Sequence, residues 1–114
     1  MTIAEARAAI VAELEPLGVP VVVDVRDLQP PAIVVGLADQ IDWYTVCGPQ
    51  ARVRVSIVAA PPGNADAGDW LSDTVEAVLR ALSGAQAGPA TLGTYDPGNG
   101  SRLPAYDVPV IITL

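Results

Sequence analysis

The chain contains no histidine and no lysine, and it has a single cysteine, Cys47. Without imidazole it lacks the side chain that most readily moves protons near neutral pH. Without lysine it lacks an amine for Schiff-base chemistry. Cys47 has neither a second thiolate nor an imidazole beside which to bind zinc, and no partner for an internal disulfide. No His or Lys is present to activate it as a nucleophile, so it reads as a small hydrophobe. Phenylalanine is also missing, and two Trp and three Tyr are the whole aromatic content, so the core must be aliphatic. No apolar run approaches the ~20 residues of a membrane helix. The opening Met1-Thr2-Ile3-Ala4-Glu5 does not have the charged-then-apolar layout of a secretory leader.

Carboxylates, hydroxyls, backbone and six arginines remain. Thirteen acidic residues against those six cations give a net charge of −7. That balance opposes general nucleic-acid binding, in which cations displace counterions from phosphates, and it opposes adsorption to anionic membranes. Arginine without lysine, with abundant Ala, Val, Gly and Pro, suggests a GC-rich coding genome. The 114 residues, 51% of them hydrophobic, suit one domain spanning 1–114 with one core. A chain so poor in proton-transfer groups is expected to act through its surfaces, with no cofactor, rather than as an enzyme.

The pattern predicts a first helix over 2–17. Thr2 and Glu5 have capping-box spacing, and Ile3, Ala6, Ile10, Leu14 and Leu17 form an apolar stripe. Arg7 lies off that stripe and reads as solvated. Strands are expected over 19–25, over 32–37 and, most clearly, over 50–60, where apolar residues alternate with Arg52, Arg54 and Ser56. That alternation predicts one face on a core and one polar face. The stretch 38–49 reads as an extended loop or a ragged strand. A second helix is expected over 66–83, with Trp70, Leu71, Val75, Val78, Leu79 and Leu82 on one stripe and Asp66, Asp69 and Asp73 near its positive end. A small-residue linker, a weak strand over 90–95, a turn at 96–100 and a last strand over 103–114 complete the chain. Pro104 and Pro109 each lack a backbone donor and predict an edge or a bulge. The expected class is α+β in the order α-β-β-β-α-β-β, a mostly antiparallel or mixed sheet with two helices packed on one face.

Few residues suggest chemistry. Asp39 with Asp42 is a loop pair of carboxylates, and Asp66/Asp69/Asp73 is accounted for by helix capping. Gly98-Asn99-Gly100 lacks the lysine and the strand–turn–helix order of a phosphate cradle. Arg52 and Arg54, two apart on one strand, present both guanidinium groups on one face. Arginine is enriched in interfaces and pairs bidentately with carboxylates, so an inter-subunit contact is one reading and a solvated face is the other. Trp43 and Tyr44 are aromatics of the kind that anchor interfaces or fill cores.

Taken together, the helix, Val21-Val22-Val23, the Pro-Pro turn and the Trp-containing segment before a long alternating strand have a familiar order. The amphipathic helix from Trp70 to Leu82 and the closing Leu103-Pro104-Ala105-Tyr106-Asp107-Val108-Pro109-Val110 extend it. This layout resembles the small tail terminator, or tail-completion, proteins of long-tailed bacteriophages. The resemblance lies in the order of elements over nearly the whole chain, most of all in 53–61 and 106–112. It implies an α+β subunit of a virion ring, typically a hexamer, assembled in the host cytoplasm. The ring would cap the tail tube and meet the head-completion or connector protein, with subunits that can stay monomeric until they reach the tube. A ring requires a heterologous interface that closes by rotation. Candidate contact residues are Asp39, Asp42, Trp43, Tyr44, Arg52, Arg54, Asn99 and Arg102. A neighbouring head-completion or neck role is one alternative. A small dimeric ligand-binding or carboxylate-dependent enzyme using Asp39, Asp42, Tyr95 or Tyr106 is another. A third is an adaptor or antitoxin-like partner protein with an apolar groove.

Overall fold

A computed structural model describes residues 2–24, 26, 28–29, 31–44, 46, 48–59, 67–82, 86–96 and 102–114. Helix α1 spans Ile3–Leu14 and opens with the predicted capping box. The Glu5 N–H donates to Thr2 Oγ1 at 3.1 Å, and the Thr2 N–H donates to Glu5 Oε1 at 3.4 Å. Pro16 has no N–H with which to continue the α ladder, so the expected last turn is instead a 3₁₀ turn, Glu15–Leu17. Gly18, at φ 76°, closes it in the left-handed region.

Among the described residues six strands form one mixed sheet: β1 (Val21–Val22), β2 (Ala32–Asp42), β3 (Gln50–Val58), β4 (Gln86–Ala87), β5 (Thr91–Tyr95) and β6 (Leu103–Thr113). Helix α2 (Ala67–Ala81) lies between β3 and β4. The predicted α-β-β-β-α-β-β order holds, with the two-residue β4 added inside the small-residue linker. The spatial order is β1-β2-β3-β6-β4, and β5 also pairs with β6. β1 runs parallel to β2, and every other pairing is antiparallel.

Two strand boundaries depart from expectation. β1 is cut to two residues because Asp24 folds back: its Oδ1 accepts from the Arg26 N–H at 3.0 Å, which diverts the backbone from the ladder. β2 runs five residues past Leu37 with two register shifts, so the ragged-strand reading of 38–49 holds through Asp42, and Asp39 and Asp42 lie on a strand rather than in a loop. Pairing with β3 compensates there for a polar sequence of low strand propensity.

Both helices cover one face. Ile10 and Leu14 of α1 and Leu71, Val78 and Leu82 of α2 pack with Ile33, Val35, Val53, Val55, Ile57, Val108 and Val110. The opposite face is polar over only half its length. At its other end Val34, Val58, Leu103 and Ala105 form a second, smaller apolar cluster with Val22, Leu28 and Tyr95.

β6 is an internal strand, so its prolines do not mark a sheet edge, one of the two readings they suggested. Each missing donor instead points past the end of a neighbour. Ala59 N–H donates to the Pro104 carbonyl at 2.9 Å, one residue beyond β3, and Gly88 N–H donates to the Pro109 carbonyl at 2.7 Å, in the gap between β4 and β5. Residues that exchange bonds in an antiparallel pair direct N–H and C=O to the same side. Each proline therefore costs one bond at a site where no regular ladder runs.

Arg7 also departs from the solvated reading. Half-buried, it reaches from α1 to three carbonyls: Gly36 at 2.9 Å from Nε, and Val35 at 3.2 Å and Val23 at 3.5 Å from Nη2. These carbonyls are exposed by the end of β1 and by an irregularity of β2 next to Val35.

Candidate interaction face

The face turned away from the helices is assembled by strand parity. β3 contributes Arg52, Arg54 and Ser56, and β6 sets Ile111, Pro109 and Asp107 directly opposite them. β2 contributes Asp39 by a different route. Its register against β3 shifts between Val35 and Ala38 and again between Ala38 and Gln40, and Asp39 is the extra residue at the second shift. A bulge re-aims the side chain it carries. Here the Asp39 carboxylate lies between two guanidinium groups. Arg52 binds it bidentately, Nε–Oδ1 3.0 Å and Nη2–Oδ2 3.2 Å, and Arg54 Nη2 stands 3.4 Å from Oδ2. Hydrogen bonding from Arg52, more than the charge of either arginine, holds the Asp39 carboxyl below the usual carboxylate range against a smaller effect of burial. The same pairing raises Arg52 above the ordinary arginine value.

Next along the face, the Ser56 hydroxyl donates to Asp107 Oδ1 at 2.7 Å. Burial, and then the nearby Asp107 charge, raise the Tyr95 hydroxyl above its ordinary value. A shallow cavity of about 300 Å³ lies among Asp39, Arg52, Arg54, Thr91 and Asp107. A second, of about 250 Å³, lies among Gln40, Asp42, Gln50, Arg52 and Ile111. Arg52 lines both, so the two form a groove divided by its side chain.

The β2–β3 hairpin ends in an apolar tip. Trp43 is 60% exposed and Tyr44 94% exposed, and Val46 is fully exposed. Tyr44 N–H donates to Asp42 Oδ1 at 3.3 Å, and Gly48 turns the chain at φ 92°. Leu114 N–H donates to the Pro49 carbonyl at 2.8 Å and ties the last residue to the hairpin base. Leu37 and Ile41 on β2 are exposed as well.

Of the residues singled out in the sequence, Asp39, Arg52 and Arg54 form one cluster, and Asp42, Trp43 and Tyr44 continue from it to the hairpin tip. Arg102 is exposed but precedes Leu103, nine residues along β6 from Ile111, which faces Arg52. At about 3.3 Å per residue that places it roughly 30 Å from the cluster. Asn99 and Cys47 lie outside the described residues. The four residues of the enzyme alternative are not gathered in one place. Tyr106 packs against the helix-side core, Tyr95 belongs to the cluster on the other face, and Asp39 and Asp42 line different cavities. Among the described residues no group of three or more Asp, Glu, Cys or His is placed to hold a metal ion. No helix among the described residues is long and apolar enough to cross a membrane.

Two features of this face were not anticipated. Asp107 alternates with Tyr106 and Val108, so its face could be read from the sequence, but its partner Ser56 depends on the β3–β6 register. The Asp39–Arg52 pair depends on a bulge for which the sequence carries no signal. Comparison of the chain with protein-family models and with curated proteins finds no match.

Proposed function

We propose that this chain is a structural assembly protein of the tail–neck junction of a long-tailed phage: a tail terminator whose copies form a ring, hexameric by resemblance. The ring stands between the tail tube and the head-completion or connector protein. The observation that carries the reading is the uncovered apolar hairpin tip, Trp43, Tyr44 and Val46, beside a polar face whose arginines are already held by Asp39. Contiguous exposed apolar side chains rimmed by polar groups suit contact with another protein surface. Aromatic residues and arginine are the side chains that interfaces enrich. Arg52 and Arg54 are 42% and 57% exposed at their side chains, so each keeps donors free for a partner's carboxylate.

The phage assignment rests on the order of elements, α-β-β-β-α-β-β. Its test is direct. Purified protein is mixed with isolated tail tubes and imaged by negative stain. A ring on one end of the tube is the expected result. Binding to purified head connectors alone moves the chain to a head-completion role, and binding to neither removes it from the junction. In the genome that encodes it, a tail-tube or connector gene is expected beside it.

A further inference from the structure

Among the described residues the sheet leaves strand edge open at diagonally opposite corners, on β2 and on β5. β1 covers the outer side of β2 only at Ile33 and Val34, and Arg7 takes the next carbonyls, of Val35 and Gly36. From Leu37 to Asp42 no described residue pairs with that side. Across the sheet, β5 pairs with β6 at Leu103–Asp107, and its own outer side has no strand among the described residues. Exposure agrees: Leu37, residues 39–42 and residues 91–94 are all exposed.

Ladder parity identifies the free backbone groups. Gly88 donates to the Pro109 carbonyl, so alternate residues of β6 turn toward β4 and β5. Thr91, Gly93 and Tyr95 stand opposite Asp107, Ala105 and Leu103 and bond inward, which leaves Leu92 and Thr94 facing outward. Ala59 bonds toward β6, so Arg52 and Gln50 turn toward β2 and engage Gln40 and Asp42, which leaves Ile41 facing outward.

We propose that β5 of one copy pairs with the outer edge of β2, Leu37–Asp42, of the next copy, so that the sheet continues from subunit to subunit. Three antiparallel steps separate β2 from β5, so the two strands run in opposite directions, and equally oriented copies meet as an antiparallel pair. The occupant is a second copy because each edge suits the other and not itself. β2 carries Asp39 and Asp42, and pairing β2 with β2 sets carboxylate against carboxylate. β5 is Thr-Leu-Gly-Thr-Tyr, with none of the charges or prolines that guard a solvent edge. Ile41 is in register with Ala51 and Leu92 with Tyr106, all on the helix-bearing side, so the two exposed aliphatic side chains cover each other once the strands meet. The diagonal placement makes successive copies step along the strand axis, as strands do in a tilted barrel. Such a contact is heterologous, and it yields a ring where the rotation between copies closes. The inference rests on the self-assembly reading above and adds the surfaces that carry it.

Thr94→Pro and Ile41→Pro each delete one outward donor and leave the internal ladder intact, and Gly93 before the new proline imposes no steric restriction. Each variant is compared with wild type by sedimentation at up to about 1 mM, a range that detects even weak association, with circular dichroism as the check on folding. The expected result is wild-type oligomers, two monomeric variants, and a mixture of the two variants that stops at a one-to-one dimer, because only one good interface remains. As a second measurement, the Leu92 and Thr94 amides of wild type should exchange rapidly when dilute and be protected when associated. Dimers of Ile41→Pro alone would mean that β5 pairs with β5 and would overturn the proposal. Rings formed equally by both variants would overturn it while keeping the assembly reading. A wild-type chain that stays monomeric throughout would also overturn it, and tube capping would then be judged from the negative-stain experiment.

Discussion

Arg52 grips Asp39 side-on across β2 and β3, with Nε on Oδ1 at 3.0 Å and Nη2 on Oδ2 at 3.2 Å. Residues 13 positions apart meet because β2 carries two register shifts and Asp39 is the residue in excess at the second. The pair fastens the outer half of β2 to β3 on the face turned away from the helices.

That pairing has a pH signature. The folded Asp39 carboxyl lies below its ordinary value because Arg52 donates to it. A carboxyl with a depressed folded pKa stabilises above its unfolded value, about 3.9, and loses that contribution as pH falls through the lower folded value. Asp39→Asn should therefore be less stable than wild type above about pH 4. The two should converge as the medium becomes more acidic. Urea midpoints measured across that range test this, and added salt should narrow the gap because the pair is partly exposed. A constant separation at every pH would mean that the pair does not couple to folding.

The elements that carry helices and core were readable because periodicity records burial. Ile10 and Leu14, the Trp70–Leu82 stripe and the alternation of Val53, Val55 and Ile57 all face one core. What failed was nonlocal. Arg7 lies off the apolar stripe, and only the carbonyls freed beside it explain why it is half-buried. Composition left Asp39-Gln40-Ile41-Asp42 open between loop and ragged strand, and the ladder supplied by β3 decides for strand. Pro104 and Pro109 marked the ends of neighbouring strands rather than an edge, and β6 itself gives no sign of where those neighbours stop. The site followed the same division. Parity put Arg52 and Arg54 on one face, whereas register and bulge decided which carboxylates they meet.

Among the described residues Arg7 is the one cation that joins α1 to the backbone of β2. Arg7→Met keeps most of the aliphatic stem but leaves the Gly36 and Val35 carbonyls without their donor. Part-buried acceptors left unpaired cost about 1–3 kcal/mol. The variant should unfold at correspondingly lower denaturant with an unchanged m-value. Arg7→Lys should recover only part of the loss, since one ammonium does not reproduce the planar fork that spans the two carbonyls. Full recovery by lysine would show that charge, not geometry, is what the site uses.

Gly88 and Pro109 touch where β4 gives way to β5. A Cβ on Gly88 would lie 2.8 Å from Pro109 Cγ, inside contact distance, while the Gly88 N–H holds the Pro109 carbonyl at 2.7 Å. Gly88→Ala must push the two strands apart, at about 1–3 kcal/mol as for other overpacked sites. Pro109→Ala removes the offending Cγ. Combined with Gly88→Ala, it should cost less than the sum of the two single changes. Additive costs in the double-mutant cycle would mean that the strain lies elsewhere.

The apolar tip separates folding from assembly. Trp43 and Tyr44 project from the β2–β3 hairpin, and neither belongs to a core cluster. Trp43→Ser with Tyr44→Ser should therefore leave stability within about 0.5 kcal/mol of wild type, as for surface changes generally. If the tip is a contact surface, the same variant should lose self-association or tube capping, because buried aromatic residues dominate interface energy. Arg52→Glu with Arg54→Glu should also weaken association, but by another route. It turns the cations that hold Asp39 into like charges, so its melting temperature should fall together with its assembly. Sedimentation and thermal melts on both double variants distinguish the two cases. Loss of assembly at unchanged stability would mark the tip as contact surface. Full assembly by the tip variant would remove Trp43 and Tyr44 from it.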